Sequence, residues 1–258
     1  MDILTHKADG ITTIQFNRPQ RKNAITMAMY VTMAEAILDA ERDPAVRAIV
    51  FLGQPEIYTA GNDLEDFLKG IVPSAGAQEV PAVFQFMRAL HGATKPVVAA
   101  VAGAAVGIGT TMLLHCDLVY AAENAQFSMP FTQLGLCPEF ASSVLFPQLA
   151  GYPSAAEKLM LGEAFSAQEA LAMGLVSRVL TVAELAPFAL AQAARLAALP
   201  PASIRTTKRL MRASRAAAVA DIMQEENKLF GEMLAAPEAK EAFTAFFEKR
   251  KPDFKQFC

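Results

Sequence analysis

Two apolar runs, Val46 to Leu52 and Pro96 to Val101, restrict what this chain can fold into more than any other feature. A strand with one wet face alternates apolar and polar residues. A run without that alternation suits a strand covered on both faces. Small residues and glycine follow each run, and then a helix-like pattern. The first loop reads Tyr58-Thr59-Ala60-Gly61-Asn62-Asp63-Leu64, the second Ala102-Gly103-Ala104-Ala105-Val106-Gly107-Ile108-Gly109. Strand, glycine loop and helix, used twice, predict an α/β core.

The flanking sequence fits that core. Ile3 to Lys7 and Ile11 to Phe16 are β-prone, with the turn Ala8-Asp9-Gly10 between them. Asn17-Arg18-Pro19 ends the second strand. Thr26 to Arg42 reads as a helix with Thr26 as N-cap and Met29, Met33, Ala36 and Ile37 on one face. Lys69 to Val80, rich in Gly, Ser, Ala and Pro, reads as a mobile surface loop beside the ligand. Pro81 suits the first position of a helix to about His91, and Gly107 opens another. Leu118 to Ala121 is a strand, and Ser166-Ala167-Gln168-Glu169 is a capping box. After about Leu180 the pattern is helical throughout: Ala183–Ala198, Ala202–Arg212, Ala217–Leu234 and Pro237–Phe247. Met223, Phe230, Met233, Leu234, Phe243, Phe246 and Phe247 make this tail unusually apolar, which fits packing on its own core or a subunit interface.

A chain of 258 residues with 53% hydrophobic side chains can support one large core without staples. Its net charge of −3 argues against a general nucleic-acid or membrane-surface binder. Cys116, Cys137 and Cys258 are too few and too scattered for a disulfide framework or a zinc site. No metal is expected, and a reducing cytoplasm suits such a chain. No signal peptide, membrane span or peroxisomal address is expected from the sequence.

The two loops have a chemical use. Amides at the start of a helix are free donors in a field that favours negative charge. An ordinary strand-to-helix turn, with Asp63 near a cap, is the simpler reading of the first loop taken alone. The second loop is not a dinucleotide fingerprint, because the spacing of Gly103, Gly107 and Gly109 is wrong, and there is no Walker sequence. Two such loops aimed at one oxygen would form an oxyanion hole, where each donor is worth roughly 2.7–4 kcal/mol.

Several markers occur together and in order: Asn17-Arg18-Pro19 with Lys22-Asn23-Ala24, Ala60-Gly61-Asn62-Asp63-Leu64, Val106-Gly107-Ile108-Gly109, Cys116-Asp117, Ala125-Gln126-Phe127, the run ALAMGLV from Ala170 to Val176, and Phe247-Glu248-Lys249-Arg250. With them the chain resembles the crotonase (enoyl-CoA hydratase/isomerase) superfamily from about Ile11 to Phe254. The resemblance implies a crotonase/ClpP-like spiral of ββα units over residues 1–198. It implies a helical region over 199–258 for subunit association and closure of the CoA pocket, and a homotrimer or dimer of trimers. By position, the oxyanion donors would be the N–H groups of Asn62 and Ile108. Many relatives carry glycine in place of Ile108.

Hydratases of the family carry glutamates at the positions of Thr111 and Phe131, so both carboxylates are missing here. The acid that stands out is Glu139, in Leu134-Gly135-Leu136-Cys137-Pro138-Glu139-Phe140. Its apolar neighbours fit either a buried base or a surface glutamate after a proline turn. The segment from Phe131 to Pro147 resembles the peroxisomal Δ3,Δ2-enoyl-CoA isomerase branch, in which the matching glutamate is the base. The resemblance therefore implies a 3-enoyl to 2-enoyl isomerase acting on an acyl-CoA thioester. Coenzyme A is part of the substrate, and no separate cofactor is expected. Ala24, Ala60, Gly61, Asp63, Leu64, Gly107 and Leu134 would contact the substrate, and Thr111 and Phe131 would be water-excluding walls. Arg18, Arg21 and Lys22 would meet the CoA phosphates, and Lys249 with Arg250 and Lys251 would reach the nucleotide end. The competing readings are another crotonase-type reaction, such as hydration or thioester hydrolysis, and a non-catalytic acyl-CoA binder. His115 reads as a packing residue, Asp117 as an acceptor for local backbone donors, Asp63 as a cap, and Cys137 as unreactive.

Overall fold

The computed structural model describes residues 1–66 and 80–257. Most of the expected loop from Lys69 to Val80 lies outside them.

Ten strands among the described residues form two sheets. β1 (Ile3–Ala8), β2 (Ile11–Phe16), β3 (Ala48–Leu52), β5 (Val97–Val101), β7 (Leu118–Ala122) and β10 (Arg178–Leu180) make a sheet in that order. β1 and β2 are an antiparallel hairpin, turned at Asp9 and Gly10, both with positive φ. The other pairs in this sheet are parallel. β4 (Ile57–Thr59), β6 (Ala104–Val106), β8 (Gln126–Ser128) and β9 (Phe165–Ser166) make a smaller second sheet. Three successive pairs, β3 with β4, β5 with β6 and β7 with β8, place one strand in each sheet before the chain turns into helix. This is the expected ββα repeat.

The large sheet is covered on both faces, as its apolar strands require. Ile49 and Phe51 of β3, with Val97, Ala99 and Val101 of β5, join the main core. Ala48, Val50, Val98 and Ala100 point the other way and pack under Leu185, Ala189 and Ala193 of the helix Val182–Ala198. Side chains alternate along a strand, so two apolar faces need two covering layers. Helix Met27–Arg42 covers the main-core face, with Met29, Met33 and Ile37 buried and the Thr26 hydroxyl accepting from Met29 N–H.

Several expectations need correction. The strand expected from Val46 begins at Ala48, because Asp43–Val46 is a turn closed by Val46 N–H to Asp43 O. Pro81 is the N-cap of Ala82–Gly92, with extended ψ of 143°, rather than its first helical residue. The helices Ser142–Ala150 and Tyr152–Leu161 and the whole second sheet escaped the pattern reading. Strands of two or three residues carry too little period, and Pro147 and Pro153 obscure the helices.

The C-terminal helices are tied to the core by buried charge. Lys208 and Arg212 of helix Pro201–Ala213 reach the Asp117 carboxylate at 2.7 and 3.3 Å, and Asp117 also accepts from Val97 N–H. Asp117 thus serves more than backbone donors. Removing it strands a buried ammonium. Asp117→Ala is expected to lower the unfolding free energy in urea by about 3–5 kcal/mol. A loss under about 1 kcal/mol would show that Lys208 escapes to water.

Candidate active site

β4 and β6 are parallel neighbours, with Ile57 opposite Ala104 and Thr59 opposite Ala105. The two glycine loops leave adjacent strand ends and therefore meet. Gly61 has φ +83°, and a Cβ there would sit 2.8 Å from Val106 O. A Cβ on Gly109 would sit 2.4 Å from the Thr59 methyl. Only glycine lets the loops close to this separation. The buried Asn23, itself at φ +53°, fastens the preceding turn by donating to Tyr58 O and Ile57 O. That fixes Lys22 and Ala24 beside the loops.

Ile25 and Asn62 form a parallel bridge in which Ile25 N–H donates to Gly61 O and Asp63 N–H to Ile25 O. Successive amides of an extended chain face opposite ways, so the Asn62 N–H faces away from Ile25. Ile108 is the first residue of the short helix Ile108–Thr111, where an N–H has no helical partner. Among the described residues neither amide has an acceptor. Both residues line one cavity of about 890 Å³, together with Glu139. The buried Tyr30 hydroxyl donates to the Asn62 side-chain oxygen and holds that residue in place.

Glu139 is 4% exposed, and its Oε1 has no hydrogen-bond partner among the described residues. Burial, with the nearby Glu226 charge second, pushes its pKa from 4.5 up to about 8. The next two residues, Phe140 and Ala141, have φ of +58° and +57°. Such conformations cost about 1–3 kcal/mol each for residues other than glycine and persist only where surroundings impose them. His115 supplies part of that. Its ring stacks on Phe140 with centroids 3.8 Å apart, and its Nε2 lies 2.8 Å from Phe140 O. Burial lowers the His115 pKa to about 3, so the neutral ring donates from Nε2 and accepts at Nδ1 from the His91 Nδ1–H. His115 is thus a packing residue that also orients the backbone after Glu139.

The cavity wall is apolar around Glu139, with Phe131, Leu134 and Leu136 from the core and Phe230, Phe243, Phe246 and Phe247 from the C-terminal helices. Ala24, Ala60, Gly61, Asp63, Leu64 and Gly107 also line it, as do Arg21 and Lys22 at the rim. Lys22 has no carboxylate partner among the described residues, whereas Arg21 lies 3.9 Å from Glu65.

Four expected contact residues, Arg18, Thr111, Lys249 and Lys251, do not line the cavity. Arg18 is spent on Asp63 at 2.8 Å and on Ala24 O at 2.9 Å. Burial would raise the Asp63 pKa, but Arg18 and the Asp66 N–H hold it below the usual range, so Asp63 is a cap and an anchor. Thr111 is fully buried, one helical turn deeper than Ile108. Lys249 turns outward at φ +55°, and Arg250 lines the cavity instead, paired with Glu241 and Glu248. Burial raises the Cys137 pKa to about 11, which leaves the thiol protonated. The reading from sequence missed Tyr30 and Glu226. The signal for Glu226 was a carboxylate on the apolar stripe between Met223 and Phe230, all three buried.

The chain matches the family model described as enoyl-CoA hydratase/isomerase over residues 6–257. It is 38% identical over 226 residues to enoyl-CoA delta isomerase 2 of Rattus norvegicus, covering 87% of this chain and 58% of that protein. The chain thus spans little more than half the length of that relative. It is 28% identical to 2,3-dehydroadipyl-CoA hydratase of Escherichia coli strain K12, over 98% of both chains. Its backbone superimposes with a TM-score of 0.93 on an enoyl-CoA hydratase/isomerase from Pseudoalteromonas atlantica, at 38% identity over 98% of this chain and 100% of that one.

The Glu139 environment has a pH signature. Below about pH 4.5 the carboxyl is neutral in both folded and unfolded chains. Between 4.5 and about 8 the unfolded chain loses the proton and the folded one keeps it, so folding stability falls as pH rises. Glu139→Gln lacks this loss. Urea unfolding should show the variant gaining on the parent by more than about 1.4 kcal/mol, one pKa unit, from pH 4.5 to 8. A constant difference would place the carboxylate in water.

Proposed function

The chain belongs to the enoyl-CoA hydratase/isomerase family, and from that premise we propose that it moves the double bond of a 3-enoyl-CoA thioester to the 2-position with Glu139 as its single base. The observation that carries this reading is the buried Glu139 carboxyl in the same cavity as two amides, none of them with a hydrogen-bond partner among the described residues. The other acids of the lining, Asp63 and Glu65, face Arg18 and Arg21. Phe131 offers no proton chemistry.

In the proposed reaction the Glu139 carboxylate takes a proton from C2. The C–H electrons form a C1–C2 double bond, and negative charge moves to the thioester oxygen, facing the Asn62 and Ile108 amides. Glu139 then returns the proton at C4. The oxygen regains its carbonyl bond, the C1–C2 pair becomes the C2–C3 double bond, and the old C3–C4 pair binds the proton. Nothing is gained or lost. The apolar wall keeps water from C3 and so disfavours hydration. Lys22 and Arg21 would meet the CoA phosphates at the rim, and residues 199–258 would close the pocket over the thioester.

Incubation with 3-hexenoyl-CoA is expected to give 2-hexenoyl-CoA, seen as conjugated thioester absorbance. Glu139→Gln should lower that rate by at least about 100-fold while acyl-CoA still binds. Retained activity within a few-fold would remove Glu139 from the role. Water addition to 2-hexenoyl-CoA as the dominant reaction would point to a hydratase instead. Since the base must be ionised, kcat/KM should rise with pH to a plateau beyond about 8. Lys22→Ala should raise KM for the CoA thioester far more than for the pantetheine thioester. An equal rise would exclude a phosphate contact.

A further inference from the structure

We propose that Glu226 is a positioning residue, whose carboxylate holds the left-handed turn at Phe140 and Ala141 and so aims Glu139 into the cavity. Glu226 lies on the helix Ala216–Leu234 and is itself 4% exposed. Its Oε2 accepts from Ala141 N–H at 2.5 Å, and its Oε1 accepts from Ser143 N–H at 3.1 Å and the Ser143 hydroxyl at 2.5 Å.

The grip falls on one particular peptide plane. The carbonyl of Phe140 and the amide of Ala141 belong to the same peptide unit. His115 donates to one end of it and Glu226 accepts from the other. A flip of that plane turns ψ of Phe140 and φ of Ala141, and it is the motion that would relax the positive φ of Ala141. With both ends held, the plane cannot turn, and Glu139, one residue earlier, keeps its direction. No cation pairs with Glu226 among the described residues, so the carboxylate does not serve an ion pair. One turn along the same helix, Phe230 lines the cavity and meets Phe131 edge-on at 6.4 Å. The helix that walls the acyl pocket therefore also sets the base.

The inference rests on Glu139 being the base, and the test separates the two. The titratable groups facing Glu226 are Glu139 across the turn, Glu225 on its own helix and the Cys137 thiol. In Glu226→Gln the amide can accept from only one of its two oxygen-side positions, and a negative charge beside Glu139 is lost. The plateau kcat at high pH should fall about tenfold or more, with KM for 3-hexenoyl-CoA within about twofold. The pH midpoint of kcat/KM should move down. Adding Ala141→Gly, which adopts positive φ without help, should restore most of the lost kcat. A folded Glu226→Gln with unchanged kcat and midpoint overturns the proposal, as does a folded double variant with no recovery. If Glu226→Gln does not fold, Ser143→Ala removes one donor from the carboxylate. It should move kcat in the same direction by a smaller factor, and unchanged values again overturn the proposal. A carbon-13 titration of the Glu139 carboxyl in the parent and in Glu226→Gln reads the coupling without turnover. If the parent does not isomerise 3-hexenoyl-CoA, the proposed reaction fails, and the role of Glu226 stands if the Glu139 carboxyl signal at both ends of the titration changes in Glu226→Gln and returns on adding Ala141→Gly, which loss of charge alone would not do.

Discussion

The site depends on the parallel pairing of β4 with β6. These strands are three residues each, and their main contribution is to launch the two glycine loops. Parallel neighbours end at the same edge, so the loops that leave them share a corner. Gly61 and Gly109 remove the side chains that would keep those loops apart. The result is a pair of main-chain donors whose direction is set by sheet geometry rather than by flexible side chains. Preorganisation of this kind needs no movement when charge develops on a bound oxygen.

The same corner forces unfavourable choices nearby. A carboxyl that is to act as a base near neutrality must be buried, and burial opposes its charge. Among the described residues Glu139 has no hydrogen-bond partner to relieve that opposition, and two residues after it hold a backbone that side chains resist. The compensation comes from distant parts of the chain. His115 grips the turn from the core side and Glu226 from the C-terminal side, while Lys208 and Arg212 fasten the C-terminal helices through Asp117. The C-terminal region is therefore part of the site's mechanics, in addition to supplying Phe230 and Phe243 to its wall.

The rim repeats this division of labour on a smaller scale. Arg18 lies close in sequence to Lys22, yet only Lys22 faces the cavity. Arg18 is turned inward by Asp63, the residue that caps the first loop. One basic residue steadies the loop and its neighbour is left available for an anionic ligand. At the other end Arg250, and not Lys249, reaches the cavity: Lys249, just past the C-cap of helix Pro237–Phe247, is itself left-handed and exposed.

The sequence by itself determined the apolar strands, the hairpin, the capped helices and the two glycine loops. Each is written in residues close together along the chain: a missing alternation, a Ser-x-x-Glu box, glycine after a buried strand. It also isolated Glu139, because an acid among apolar neighbours is conspicuous locally. The second sheet was invisible, since strands of two or three residues are stabilised by their neighbours and carry no period of their own. Only tertiary structure decided that Thr111 is sealed beneath the cavity, that Arg18 is taken by Asp63, and that Glu226 clamps the turn beside Glu139. Those outcomes depend on contacts between residues 45 and 85 positions apart in the chain. Local preference cannot encode such contacts, because hydrogen bonds and burial are settled by which surfaces meet in space.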